Sequence, residues 1–187
     1  MFRKINTADT PEVAEICKAA LGYDVDVENV KKQIAKLTND KNQHIIIGYE
    51  DENTRKIIGF VHAQVYESFY SDIGLNILGL AVNTDFQGRG IGRKLMNKLE
   101  EYAVENSISF IRLNSALKRE EAHKFYEHIG YTCDKVQKRF IKFFEWILIY
   151  QILYLIRLLD DSNIVFFCEF LILLSKIIGK CIDTMTN

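Results

Sequence analysis

The chain of 187 residues has a single proline, Pro11, and no stretch rich in glycine, serine or proline that would mark a linker. Nor does it have an excess of charge. With 24 basic and 25 acidic side chains it lacks the electrostatic footprint of a nucleic-acid binder. Its four cysteines, Cys17, Cys133, Cys168 and Cys181, are widely scattered, and none forms a C-x-x-C pair. A zinc ribbon or a dithiol redox centre is therefore not indicated, and no His, Cys or Asp group has metal-ligand spacing. The N-terminus, Met-Phe-Arg-Lys, turns polar at once, unlike a signal peptide. A cytoplasmic protein with reduced thiols is expected. There is no internal repeat.

What the chain does contain is unevenly distributed. Residues 144–187 hold 28 apolar residues in 44 and no alanine, with three basic and five acidic side chains. Residues 1–143 are a near-neutral body. The expectation is a domain over 1–143 followed by a hydrophobic helical extension over 144–187.

Along the body, Phe2 to Asn6 alternates as a strand. Thr10 can cap a helix that has Pro11 in its first turn and Gly22 at its end. A second helix is expected from Val27 to Leu37. His44 to Tyr49 and Lys56 to Tyr66 read as a hairpin around the turn Asp51 to Arg55. Glu67 to Gly74 reads as a loop, and Asn76 to Val82 as an apolar central strand. Past the next helix, Phe110 to Leu113 is a strand and Lys118 to Ile129 a helix with Gly130 at its C-cap. Tyr131 to Val136 and Lys138 to Phe143 complete the series as strands.

The chemistry concentrates between Val82 and Leu95. Gln87-Gly88-Arg89-Gly90-Ile91-Gly92 packs three glycines into six residues, between an apolar strand and an amphipathic helix that carries Ile91, Leu95, Leu99, Tyr102 and Ala103 at helical spacing. Glycine lets a ligand approach the backbone and adopts positive φ at little cost. The first N–H groups of a helix favour an anion, and Arg89 adds a permanent positive charge. A turn that simply needed glycines to enter a helix would look the same. The dinucleotide pattern G-x-G-x-x-G is missed, and the P-loop ending Gly-Lys-Ser/Thr is absent. A second cluster lies further on. Ala122, Phe125, Tyr126 and Ile129 share one helical face, where Tyr126 brings a hydroxyl that needs a partner when buried.

The hexamer Gln87 to Gly92 fits Q/R-x-x-G-x-G/A and resembles the acetyl-CoA pyrophosphate loop of the GNAT superfamily of N-acetyltransferases. The run Ala122 to Tyr131 resembles that family's A-x-x-F-Y-E-x-x-G-F/Y signature. The resemblance covers about residues 2–143. It implies an α/β (α+β) fold, with a mixed, mostly antiparallel sheet flanked by helices, to which the tail adds a helical hairpin. It implies acetyl-CoA as co-substrate and transfer of an acetyl group to a primary amine by direct attack on the thioester. It places the pyrophosphate on Gln87, Gly88, Arg89, Gly90, Ile91 and Gly92, and the pantetheine on the backbone of Leu80, Ala81 and Val82 and on Asn114. Tyr126 then lies near the CoA sulfur and protonates the departing thiolate. Many relatives have Asn where this chain has Arg119, so a side-chain contact at that position is in doubt. Glu67 is the candidate general base, with Asp72 beside it. These two carboxylates, on the side where acceptors enter, point towards a small cationic amine. His62, inside a strand, reads as a packed residue. The alternative is an acyl-CoA-binding sensor or scaffold of the same fold without turnover.

The tail reads as two helices, Trp146 to Leu159 and Ile164 to Ile178, joined at Asp160 to Asn163. Each apolar run is about 15 residues, short of the roughly 20 that span a bilayer. A hairpin buried on the body or on a second subunit, a membrane-associated anchor, or a non-native extension would each fit. A homodimer built through this segment is the expectation, since outward apolar faces need a partner.

Overall fold

The polar opening of the chain folds back on itself before the first helix begins. In the computed structural model, which describes residues 1–142, β1 is only Phe2–Arg3. Asn6, expected to end that strand, instead caps a 3₁₀ turn at Thr7–Asp9, accepting from the Ala8 N–H at 2.8 Å. Asp9 returns the bond from the Asn6 N–H at 2.9 Å, which completes a capping box. Asn6 thus caps the 3₁₀ turn, whereas Thr10, expected as the cap, is the first residue of α1 (Thr10–Ile16), whose N-cap position is Asp9 with no side-chain bond to the helix. A π-helical turn, Cys17–Leu21, continues α1 and stops at Gly22, where φ is +79°. Asp26 caps α2 (Val27–Asn39) through the Asn29 N–H at 3.1 Å.

Three long strands follow: β2 (His44–Glu50), β3 (Ile57–Ser68) and β4 (Ser71–Val82). The expected loop Glu67 to Gly74 is mostly strand. The β3–β4 ladder continues to the pair Ser68↔Ser71, leaving Phe69 and Tyr70 as an exposed two-residue tip. Alternating Val65 and Leu75 extend the buried face, and the two serine hydroxyls meet at 2.7 Å below the tip. Polar side chains on the open face had disguised strand as loop. The chain then forms α3 (Ile91–Glu105), β5 (Phe110–Leu113) and α4 (Glu120–His128).

The sheet order is β1-β2-β3-β4-β5. Every pair is antiparallel except β4–β5, which is parallel across the α3 crossover. One face packs against α3 and α4 through Val61, Ala63, Leu75, Leu95, Met96 and Leu99, all fully buried. The other face packs against α1 and α2 through Val13, Ile16, Val30, Ile34, Ile57 and Phe60. Each large side chain removed from water in these layers contributes about 1.5–3 kcal/mol. The fold is the mixed, mostly antiparallel sheet with flanking helices that the sequence predicts.

The two closing strands do not form among the described residues, since 131–142 carry no strand. Tyr131 is already committed. Its N–H closes the end of α4 on the Tyr126 carbonyl at 2.9 Å, beside Gly130 to Glu127 at 3.0 Å, with Gly130 at φ +96°. That is a Schellman ending. The Tyr131 hydroxyl donates to Glu100 on α3 at 3.1 Å. Downstream, Asp134, Lys135, Lys138, Arg139 and Lys142 break any sustained apolar alternation. By contacts the chain divides into the units Met1–Asp134 and Lys135–Asn187. The predicted helical hairpin lies outside the described residues. Among those described, no helix is long and apolar enough to cross a membrane.

Candidate active site

The site grows from a fork in the sheet. β4 pairs with β5 only from Gly74↔Phe110 to Ile77↔Leu113. Beyond Ile77 the β5 side of β4 has no partner strand among the described residues. The separation starts at a bulge, because His62 opposes Gly79 while Ala63 opposes Ile77, so Leu78 is the extra residue. On the other edge β4 stays paired with β3, and the Asn83 N–H reaches the Ile58 carbonyl at 2.8 Å. By the strand's period of two, the main chain of Ala81 faces β3, and that of Leu80 and Val82 faces the open fork. Of the three backbone positions predicted to hold pantetheine, Leu80 and Val82 present their polar groups to the cleft. Ala81 is held in the ladder opposite Phe60.

At the end of β4 the glycine-rich loop turns into α3. The Gln87 carboxamide donates to the Val82 carbonyl at 3.1 Å and ties the loop to the strand. Gly88 and Gly90 both have φ of +73°, and a Cβ at either would meet nothing within 4 Å. They are therefore glycine for conformation, and their surface is open. Gly92 is different: it lies inside α3, and its Cβ would make an ordinary contact with the Phe125 ring at 3.4 Å, so the packing of α3 on α4 does not require glycine there. Gly90 offers α3 no side-chain cap, and the first turn holds no acid. The first main-chain bond inside the helix runs from the Lys94 N–H to Gly90 at 3.0 Å. The N–H groups of Ile91, Gly92 and Arg93 are thus left to an outside acceptor. Arg89 donates to the Asp85 carbonyl at 3.0 Å, with its guanidinium 4.8 Å from the Phe86 ring centroid.

Tyr126 packs on the α3-side cluster that also takes in Leu80, Val82 and Leu113. Its ring meets Phe125 and Tyr131 edge-on at 5.2 and 6.0 Å. The hydroxyl has no hydrogen-bond partner among the described residues. Burial raises the phenol's pKa and Arg119 works against that rise, so the proton stays in place at neutral pH. Arg119 donates to the Leu21 carbonyl at 2.7 Å, joining the start of α4 to the end of the π turn. Asn114, the first residue after β5, is exposed beside the fork. Glu67 is not brought to the site. It sits at the irregularity between Tyr66 and Ser68, next to the hairpin tip. That is five residues from the level of Leu78, roughly 16 Å along the strand. Asp72 lies on the opposite arm of the same tip.

Sequence reasoning passed over one contact. The Nδ1 of His44 and the Nε2 of His62 lie 2.9 Å apart across β2 and β3. His62 also lines a cavity of about 200 Å³ under α1 and α2. Burial first, then His44, lowers its pKa to about 4. The register of the β2–β3 hairpin was the signal that could have paired them, but its bulge at Tyr49/Glu50 shifts the count. Among the described residues no group of three or more His, Cys, Asp or Glu could hold a metal ion.

The acetyltransferase (GNAT) family model matches residues 10–131, the stretch that contains the fork, the glycine loop and α4. The chain belongs to the GNAT acetyltransferase family. It is similar to human N-acetylaspartate synthetase, at 32% identity over 75 residues, 40% of this chain and 24% of that protein. It thus spans about a quarter of the length of that relative. It is 27% identical over 132 residues to the aminoalkylphosphonate N-acetyltransferase of Salmonella typhimurium, covering 70% of this chain and 83% of that one. The fold matches the crystal structure of glucosamine-6-phosphate N-acetyltransferase from Arabidopsis thaliana with a TM-score of 0.64 at 19% identity, covering 78% of this chain and 98% of that one.

Proposed function

We propose that the chain is an acetyl-CoA-dependent N-acetyltransferase that moves an acetyl group to a primary amine by direct attack on the thioester. The observation that carries the reading is the run from Leu78 to Gly92, where an unpaired strand edge leads directly into an open, left-handed glycine loop and a bare helix N-terminus. A long ligand with polar groups along its arm and an anionic pyrophosphate suits both ends. Acetyl-CoA supplies the activated acyl group. The amides from Gly88 to Gly92 and the Arg89 charge hold the pyrophosphate, with Gln87 bracing the loop. The main chain of Leu80 and Val82, with Asn114, holds the pantetheine arm. A main-chain N–H at the fork polarises the carbonyl under attack, and Tyr126 protonates the leaving thiolate.

Calorimetry with CoA and a thiol-release assay over a panel of amines test this together. Absence of CoA binding overturns it. Binding without thiol release from any amine would favour the second reading, a sensor or scaffold of the same fold, which the displacement of Glu67 to the hairpin tip supports. Composition also supports a homodimer through residues 144–187, whose 28 apolar residues need a partner. Truncation after Phe143 should then give a monomer in sedimentation, and a full-length monomer would refute it.

A further inference from the structure

One row of the sheet is polar on the face that α1 and α2 cover elsewhere. In register across four strands stand His44, Gln64, Asn76 and Arg112. Their strand neighbours Ile45, Ala63, Val65, Leu75, Ile77, Ile111 and Leu113 all pack towards α3. By alternation the four polar side chains face the other way. Gln64, Asn76 and Arg112 are each partly buried, and none has a hydrogen bond or ion pair with a described residue. Arg112 is held instead by stacking, with its guanidinium 4.9 Å from the centroid of Tyr66. Tyr66 in turn meets Phe110 at 6.0 Å, over the gap left by Gly74. Arg3 and Arg55, by contrast, pair with carboxylates.

A guanidinium pre-positioned on a ring, with two amide side chains in line and no acid paired with it among the described residues, is suited to a planar or tetrahedral anion. The row also has a fixed relation to the chemistry. Asn76↔Arg112 is the last pair but one before β4 and β5 separate. Gln64 is two residues along β3 from His62, which opposes Gly79 at the fork, a step of roughly 7 Å. With the anion on Arg112, a short spacer brings an amine to the open edge of β4. Resting on the transferase reading above, we infer that the acceptor is a small amine bearing an anionic group, with Arg112 reading the anion beside Asn76 and Gln64. Arg112 is then a specificity-determining residue, and the cationic amine suggested by Glu67 and Asp72 is replaced by an anionic one, since both carboxylates sit at the hairpin tip.

The test is steady-state thiol release with three probes of similar length: β-alanine, 2-aminoethylphosphonate and β-alaninamide, which lacks the charge. At least one acid should exceed the amide by tenfold or more in kcat/KM, and whichever acid leads identifies a carboxylate or a phosphonate site. Arg112→Gln should erase that preference by raising KM for the acid at least tenfold relative to KM for the amide, with CoA affinity unchanged. Arg112→Lys, which keeps the charge without the fork of donors, should retain part of it. The amide being acetylated as well as the acids, or a preference that survives Arg112→Gln in a protein of native melting temperature, overturns the inference and leaves the transferase reading standing. No thiol release with any amine overturns the transferase reading itself.

Discussion

Adding one methyl group at two glycines of the same loop should have opposite effects, and the sign follows from the backbone. Gly90 has φ of +73° and open space around a notional Cβ. Gly90→Ala therefore meets no clash, and its cost is that of the left-handed region alone, about 1–2 kcal/mol. Gly92 lies inside α3, where Ala is favoured over Gly by roughly 0.5–1 kcal/mol, and its Cβ would touch Phe125 at 3.4 Å. Gly92→Ala should be neutral or slightly stabilising. Urea denaturation of the two variants reads the difference. Gly90→Asn separates strain from ligand approach, because Asn tolerates the left-handed region better than Ala yet puts a side chain on the surface where pyrophosphate would lie. Its stability should stay closer to native while CoA affinity falls at least tenfold, about 1.4 kcal/mol. Native CoA affinity in Gly90→Asn would show that the ligand does not use this stretch of bare backbone. A destabilised Gly92→Ala would show that the packing of α3 on Phe125 has no room for the methyl.

Tyr126→Phe keeps the ring and removes the proton, so kcat should drop about 10²-fold while calorimetric CoA affinity stays near native; unchanged turnover would assign the proton to another donor. Arg3→Ala leaves Asp9 without its cation and the nearly buried Glu50 with Arg55 alone and should cost about 3 kcal/mol in chemical denaturation, a loss under 1 kcal/mol refuting the network. Burial pushes Asp9 up, but the Arg3 hydrogen bonds and charge outweigh it and hold its carboxyl below the usual 3.8. Its contribution is therefore complete above that pH and fades as pH falls through the lowered value, and Arg3→Ala should flatten this part of the acid titration. His62, held near 4 against a usual 6.5, stays neutral in the fold while the unfolded chain takes up a proton. Stability should decline as pH drops from 6.5 towards 4, and His62→Gln should remove that slope.

The helices and the glycine loop were legible because their signals are local. Val30 and Ile34 on α2, or Leu95 and Leu99 on α3, recur at helical spacing, and Gly88 to Gly92 declares itself by composition. The β3–β4 tip was not legible, because Glu67, Asp72 and their aromatic neighbours look like loop until the partner strand is known to be present. Nor was the row through Arg112, whose members lie 20, 12 and 36 residues apart in sequence and meet only through register. Tyr131 misled for a third reason. Its β-favouring side chain suggested a strand, but its N–H is consumed by the helix it follows. The three glycines, taken together in the sequence, divide in the structure into two that bend the loop and one, Gly92, that sits inside α3 with room for a methyl group.

The bulge at Leu78 acts on β4 as a frameshift acts on a message. Before it, odd positions face α3: Leu75 and Ile77. After it, even positions do: Leu80 and Val82. Deleting Leu78 would restore a single parity. Gly79 would then follow Ile77 directly, as His62 and Ala63 adjoin across the ladder, so Leu75, Ile77, Leu80 and Val82 would still face α3 and Gly79 and Ala81 would still face away from it. The core therefore does not require the extra residue, and Leu78 itself is 51% exposed and packs in neither buried cluster. What the deletion would remove is the local bend that a bulge puts into a strand, at the level where β4 leaves β5. The inserted residue serves the parting of the strands and not the packing of their side chains.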